Sequence, residues 1–435
     1  MKKVIIYSHD TYGLGNIRRM LTIAKSLVDS DSDMSVLILS GSPMLHAFRI
    51  SSRIDYVKLP CLKRSTEGDY TVKHLGLDLT PTIQLRSSII VSAIAHFEPD
   101  VIMVDKKPLG VCDELAPALN FVRRSGMKTK LVLLLRDIID SSNATTRIWE
   151  KNNYYEWIEK FYDSILIVGS REIFDLGMEY RFPSSCLDKL SYCGYLLREK
   201  GLKSKESIQK EMGIDNEKIV LVTTGGGEDG FNLIKIYLQG LRGSNREPEF
   251  KSLIIHGPEM LKENQKEIRK LAAQLPSVFL KEYTDDMMAY IGAADLVVSM
   301  GGYNTICEIL SLKKRAIVVP RVTPVVEQWI RARRMAKRGL FRFIHPESVS
   351  PNSIMTMINE EIAKPSSRDE SYKNVDMEGL PRIADSILSL IGEKQNIAKK
   401  LCFKVVRNQK LLEYQKSSRR ALYMDRWTGS QMSNS

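Results

Sequence analysis

The chain alternates short, nearly unbroken apolar runs with longer stretches in which apolar and charged residues recur at helical spacing. In the first half the runs are KVIIYS (3–8), SVLILS (35–40), DVIMVD (100–105), KLVLLL (130–135) and SILIVG (164–169). A strand covered on both faces reads this way, because neither side of it meets water. Segments such as NIRRMLTIAKSL (16–27) lie between the runs and predict helices. Strand and helix in alternation predict a parallel sheet with helices on both faces.

The series then starts again. GYLLREKGLKSKESIQKEMGIDNE (194–217) is polar and charged, and after it come KIVLVTTGGG (218–227), SLIIHG (252–257), SVFLKEY (277–283), DLVVSM (295–300) and RAIVVP (315–320). The expected fold class is α/β, with two doubly wound, Rossmann-like domains facing each other across a cleft. Their expected bounds are 1–195 and 218–385, joined by a linker and first helix over 196–217. Residues 386–435 read as a basic helical tail, in which Ile397, Leu401, Val405 and Leu412 fall near one helical face among lysines and arginines.

Composition agrees with this outline. A chain of 435 residues is long for one core and suits two domains. Its 43% apolar and 27% charged residues are those of a globular protein. No run approaches the roughly 20 apolar residues needed to cross a bilayer. The opening MKKVIIYSHD reads as a buried first strand rather than a signal peptide. The six cysteines include no CxxC pair, so no metal site is expected, and their scatter suits reduced thiols in a cytoplasmic protein. The 64 Lys and Arg against 52 Asp and Glu leave a formal charge of +12, which favours anionic partners. No RNP-like strand, zinc finger or helix-turn-helix accompanies it, so nucleic acid is not an expected partner.

The candidate chemistry lies at strand ends. Open α/β sheets bind ligands at their carboxyl edges, where backbone N–H groups and helix N-termini collect. SHDTYGLGNIRR (8–19) follows the first strand of one domain, and TTGGGEDG (223–230) follows that of the other. Neither is a GxGxxG or a P-loop, and each by itself is equally a tight turn. VVSMGGYNTICEIL (297–310) is more specific. Gly301 and Gly302 let a phosphate approach the backbone. The N–H groups opening the next helix and the Thr305 hydroxyl can donate to a diphosphate. Glu308, one turn on, can accept from two vicinal hydroxyls such as those of a ribose.

The block 282–339, from EYTDDMMAYIGAADLVVSMGG to KKRAIVVPRVTPVVEQWIRARRMAKRG, resembles the donor-binding region of GT-B glycosyltransferases. It is most similar to the peptidoglycan N-acetylglucosaminyltransferase branch and related predicted glycosyltransferases. The shared pattern is an aromatic before a D-D-M helix, an A-D strand, a small-residue loop, an E-I helix, a strand ending in proline, and an acid-Gln pair. Residues 218–260 and 1–25 follow more loosely. The resemblance implies Tyr283 and Thr284 at the nucleobase, and Met300, Gly301, Gly302, Asn304 and Thr305 around the diphosphate. It implies Glu308 on the ribose, and Glu327 and Gln328 on the donor sugar. Gly225, Gly226 and Gly227 would lie against the phosphates, with His256 lining the cleft.

The first loop departs from the family, which often has G-x-G-H there. In this chain Gly13 and Gly15 are followed by Asn16, and an asparagine takes no proton at neutral pH. His9 and Asp10 are then the leading candidates for the base, with Asp105 and Asp137 as further strand-end acids that serve equally as helix caps. Arg18, Arg19, Lys106 and Arg136 are candidates for an anionic acceptor or donor phosphate. In the helix containing RARRMAKR (331–338), Trp329 and Ile330 are expected inside and the arginines outside.

The resemblance implies an inverting, metal-independent glycosyltransferase with no cofactor, whose donor is a nucleotide sugar, a UDP-sugar by likeness. The acceptor would be a hydroxyl of a cell-surface glycan or lipid-linked precursor. Peripheral membrane contact through the basic tail would place the protein at the inner face of the plasma membrane. Two other readings stand beside it: a UDP-sugar 2-epimerase of the same fold, and a nucleotide-sugar-binding or partner protein without turnover.

Overall fold

A computed structural model describes residues 1–9, 15–64, 69–243, 247–365, 372 and 374–392. One compact unit, Met1–Ile383, holds two parallel sheets. The second unit begins at Ala384 and is described through residue 392, as the end of helix Gly379–Leu390. The amphipathic tail segment 394–420 lies outside the described residues.

The first sheet has seven strands: β1 (Lys2–Ser8), β2 (Met34–Ser40), β3 (Ile54–Lys58), β6 (Val101–Asp105), β7 (Lys130–Arg136), β8 (Ser164–Val168) and β9 (Leu190–Tyr192), in the order β3-β2-β1-β6-β7-β8-β9. A small antiparallel hairpin, β4 (Leu62–Arg64) with β5 (Tyr70–Val72), leaves its edge connection. The second sheet has six strands: β10 (Lys218–Thr223), β11 (Phe250–Ile255), β12 (Val278–Lys281), β13 (Leu296–Ser299), β14 (Ala316–Val318) and β15 (Arg342–Phe343), in the order β12-β11-β10-β13-β14-β15. In each sheet the chain winds outward from its first strand and then returns to that strand's other side. The two reversal points lie between β1 and β6 and between β10 and β13, where a doubly wound sheet opens a crevice.

Every apolar run foretold from sequence contributes to a strand. Val4, Ile5 and Ile6 of β1, Val132 and Leu133 of β7, and Val220 and Val222 of β10 are fully buried. Within the two parallel sheets the strands without such a run are β3, β9 and β15. All three are sheet edges, where short strands with one side open need no continuous apolar stretch.

One buried ion pair shapes the approach to the first crevice. Arg86, on helix Leu79–Phe97, donates to Glu114 through Nε (2.5 Å) and Nη2 (2.6 Å), and both side chains are sealed from solvent. Tyr7 on β1 donates to the same carboxylate at 2.6 Å and accepts from the Val111 N–H at 3.0 Å. Burial, with Glu114 beside it, raises the Tyr7 hydroxyl well above its ordinary pKa. These bonds clamp the loop after β6, which carries left-handed φ at Lys106 (72°), Cys112 (47°) and Asp113 (58°). Replacing Glu114 by alanine leaves a buried guanidinium without its carboxylate and should cost about 3–5 kcal/mol. The expected result is a matching fall in the urea midpoint; a change under about 1 kcal/mol would show the clamp to be dispensable.

Candidate functional site

At the carboxyl edge of the second sheet, β13 runs into Met300, Gly301 and Gly302, and helix Tyr303–Leu312 begins with Gly302 as its N-cap. The two glycines differ. Gly301 has φ +79°, which only glycine adopts readily, and a β-carbon there would stand 2.7 Å from Val318 Cγ1. Gly302 is extended backbone, and a β-carbon on it would meet nothing closer than 3.9 Å. The turn is therefore carried by Gly301, while Gly302 leaves room in front of the helix N-terminus. Thr305 lies half-buried in the first turn, and Glu308 is buried one turn on.

The glycine loop after β10 sits beside it. Gly225 and Gly227 have φ of +67° and +98°, and Gly257, after His256, has +85°. A β-carbon on Gly227 would stand 2.1 Å from the His256 carbonyl oxygen, and one on Gly257 would stand 2.3 Å from that of Gly226. The two loops interlock through bare backbone. His256 is buried, its carbonyl accepting from the Thr224 hydroxyl at 2.9 Å. Glu259, which sequence reasoning passed over, packs against Gly226; burial, reinforced by Glu228, raises its carboxyl pKa. Tyr283 is 47% exposed beyond β12, and the Thr284 hydroxyl accepts from the Asp286 N–H at 3.1 Å.

The first-sheet residues meet this edge directly. Gly15 opens helix Gly15–Ser30, and its carbonyl accepts from Asn304 Nδ2 at 2.9 Å. Asn304 Oδ1 accepts in turn from Arg198 at 2.9 Å. Asn16 donates to the His9 carbonyl at 2.5 Å and accepts from Arg19 at 3.2 Å, fastening the two ends of the first loop. Asp10 and Gly13 of that loop lie outside the described residues. Arg18 donates to Glu308 at 3.0 Å, so the carboxylate expected to meet a ribose faces a guanidinium in this structure.

Acids and arginines at the seam are paired in a fixed pattern. Arg19 and Asp105, both buried, meet at 2.7 Å. Arg331 holds Asp137 in a two-pronged bond of 2.7 Å and 2.8 Å, and also reaches the Gly301 carbonyl at 3.1 Å and Glu327 at 3.3 Å. Arg321 binds Glu327 at 3.2 Å, and its backbone N–H donates to Gln328 at 3.2 Å. Burial alone would raise the Glu327 pKa, but Arg331, Arg136 and Arg321 outweigh it and hold the carboxyl below its usual range. Tyr303 lies between Arg19 and Arg331, with guanidinium carbons 5.8 Å and 5.7 Å from its ring centre.

The seam corrects one expectation. The arginines of 331–338 are expected outside; Arg333 and Arg338 are exposed and Arg334 is half-buried against Glu179, but Arg331 is fully buried. Arg331 follows Glu327 at i+4, so both lie on the helix face turned to Asp137. Arg198 and Arg321 were also missed, since nothing in their sequence neighbourhood separates them from solvated surface charge. Only the i,i+4 spacing of Glu327 and Arg331 offered a signal.

These features define a class: a GT-B fold, with paired doubly wound sheets and a glycine-rich edge at the second reversal point. Residues 219–387 match the glycosyltransferase family 28 C-terminal domain. An uncharacterized glycosyltransferase of Methanopyrus kandleri is 28% identical over 162 residues, 37% of this chain and 43% of that protein. The UDP-N-acetylglucosamine–N-acetylmuramyl-(pentapeptide) pyrophosphoryl-undecaprenol N-acetylglucosamine transferase of Bacteroides fragilis is 29% identical over 147 residues, 33% of this chain and 38% of that enzyme. The alignments thus span less than half the length of these relatives. Among solved structures, MurG of Acinetobacter baumannii superposes with a TM-score of 0.58 at 14% identity, covering 89% of this chain and all of that one, which shows the fold. The chain has the GT-B fold and is similar in sequence to the peptidoglycan N-acetylglucosaminyltransferases.

Asp137→Ala strands Arg331 in the seam and should cost about 3–5 kcal/mol, whereas Asp137→Leu combined with Arg331→Met should recover more than half of that. Urea unfolding of the single and double variants measures the coupling. Additive losses would show that the pair does not act as a unit.

Proposed function

We propose that the chain is a glycosyltransferase that moves a sugar from a nucleotide diphosphate, a UDP-sugar, to an acceptor hydroxyl with inversion at the anomeric carbon. The observation that supports this most is the Gly301–Glu308 unit: a glycine-only turn, an open helix N-terminus and a buried carboxylate one turn on, beside the interlocked Gly225–Gly227 loop. The N–H groups of Tyr303, Asn304 and Thr305 with the Thr305 hydroxyl take the diphosphate, and Glu308 takes the ribose hydroxyls. Arg18 is 40% exposed, so it can leave Glu308 for solvent or for a phosphate oxygen as the ribose arrives. Negative charge building on the departing diphosphate is met by these fixed dipoles.

The acceptor loses a proton as its oxygen attacks. Asp105 and Asp137 are each tied to a buried guanidinium, Arg19 and Arg331, as part of the seam. His9 and Asp10, on the loop closed by Asn16, are the better assignments. A lipid-linked acceptor and a membrane-facing basic tail belong to the same reading. Among the described residues no helix is long and apolar enough to cross a membrane. Unchanged binding to anionic liposomes after deletion of residues 395–435 would remove the tail from this scheme.

Calorimetric titration with UDP, UDP-GlcNAc, UDP-glucose and GDP-mannose tests the donor site. One uridine nucleotide should bind, and Glu308→Ala should weaken it at least about tenfold, or 1.4 kcal/mol. Failure of every nucleotide to bind would overturn the reading. Conversion of the sugar by protein and donor alone, followed by NMR, would point to epimerisation instead.

A further inference from the structure

Arg136 ends β7 at the seam, and its side chain is only 15% exposed. No described residue accepts a hydrogen bond from its guanidinium, and Nε is enclosed without a partner. Its nearest carboxylate is Glu327, 3.9 Å from Nη1. That carboxylate already serves Arg321 at 3.2 Å and Arg331 at 3.3 Å. The other acids nearby are committed as well, Asp105 to Arg19 and Asp137 to Arg331.

The comparison within the same interior is informative. Arg19, Arg86 and Arg331 are buried more deeply still, and each makes close hydrogen bonds to a carboxylate, although Arg19 Nε lacks a partner as Arg136 Nε does. A buried arginine kept only as a structural prop is expected to look like these three, because unmade N–H bonds and unneutralised charge both cost stability. Arg136 differs in that its one carboxylate within 4 Å is Glu327, at 3.9 Å and shared with Arg321 and Arg331. Burial, together with the like charges of Arg19 and Arg331, lowers its pKa against the pull of Glu327. The four arginines here are matched by four acids, since Arg321 also binds Asp229 at 3.0 Å; what Arg136 lacks, at the sugar end of the proposed donor site, is hydrogen-bond acceptors.

We propose that Arg136 recognises an oxyanion, a carboxylate or phosphate, carried by the sugar or acceptor that lies beside Glu327. A guanidinium fork takes such a group through two parallel N–H···O bonds, supplying the missing acceptors. The inference rests on the transferase reading for what occupies the cleft.

Titration of the full chain with UDP, UDP-glucose, UDP-glucuronate and inorganic phosphate separates the two sources. If the oxyanion is on the donor sugar, UDP-glucuronate binds at least about tenfold tighter than UDP-glucose, and Arg136→Gln abolishes the difference. If it is on the acceptor, inorganic phosphate binds the UDP-saturated wild type and not Arg136→Gln. Arg136→Lys keeps only part of either gain, since a point charge replaces the fork. In support, Arg136→Met should melt above the wild type, a ligand-binding charge having been removed from the interior. No oxyanion preference in either titration overturns the proposal, as does an equal loss for all nucleotides with a lowered melting point. UDP still bound in that case leaves the transferase reading standing. If UDP fails to bind while phosphate alone still depends on Arg136, the transferase reading falls and the oxyanion site stands.

Discussion

The two-pronged bond between Arg331 and Asp137 is the constraint around which the seam is arranged. It ties the helix Glu327–Lys337 of one sheet system to the end of β7 in the other, at 2.7 Å and 2.8 Å, away from water. Because a buried guanidinium needs its remaining donors met, Arg331 also takes the Gly301 carbonyl and Glu327. The carbonyl is that of the glycine turn in front of the proposed diphosphate site. One side chain thereby sets the relation of the two sheets, the orientation of the turn and the charge state of Glu327.

The backbone at this edge follows from close approach. Gly227 and Gly257 leave no room for a β-carbon between their loops, and Gly301 needs a left-handed φ as well as clearance from Val318. Bare backbone packed this tightly leaves no side chain between the two loops. A proposed diphosphate site needs that edge, fixed before the ligand arrives.

Charge is distributed unevenly across the cleft. Most buried acids are paired with arginines. Glu308 and Arg136 are exceptions of opposite sign: Glu308 faces a half-exposed arginine that can move away, and Arg136 has a share of one crowded carboxylate. Both lie where the proposed donor would pass. The stability that these two groups forgo is consistent with ligand contacts held in reserve.

The apolar runs by themselves determined the two parallel sheets, because a strand buried on both faces needs an unbroken apolar stretch wherever it sits. Glycines at strand ends marked the carboxyl-edge turns for a similarly local reason, a backbone angle or a clearance. The edge strands β3, β9 and β15 escaped, being short and half open to water. Only the tertiary structure decided the charges. Arg331 and Asp137 are 194 positions apart, and Arg18 and Glu308 are 290 apart. Such pairs leave no periodic trace, since a solvated arginine and a buried one are written with the same residue. Which arginine is bonded to a carboxylate, and which is left wanting acceptors, was settled by the packing of one sheet system against the other.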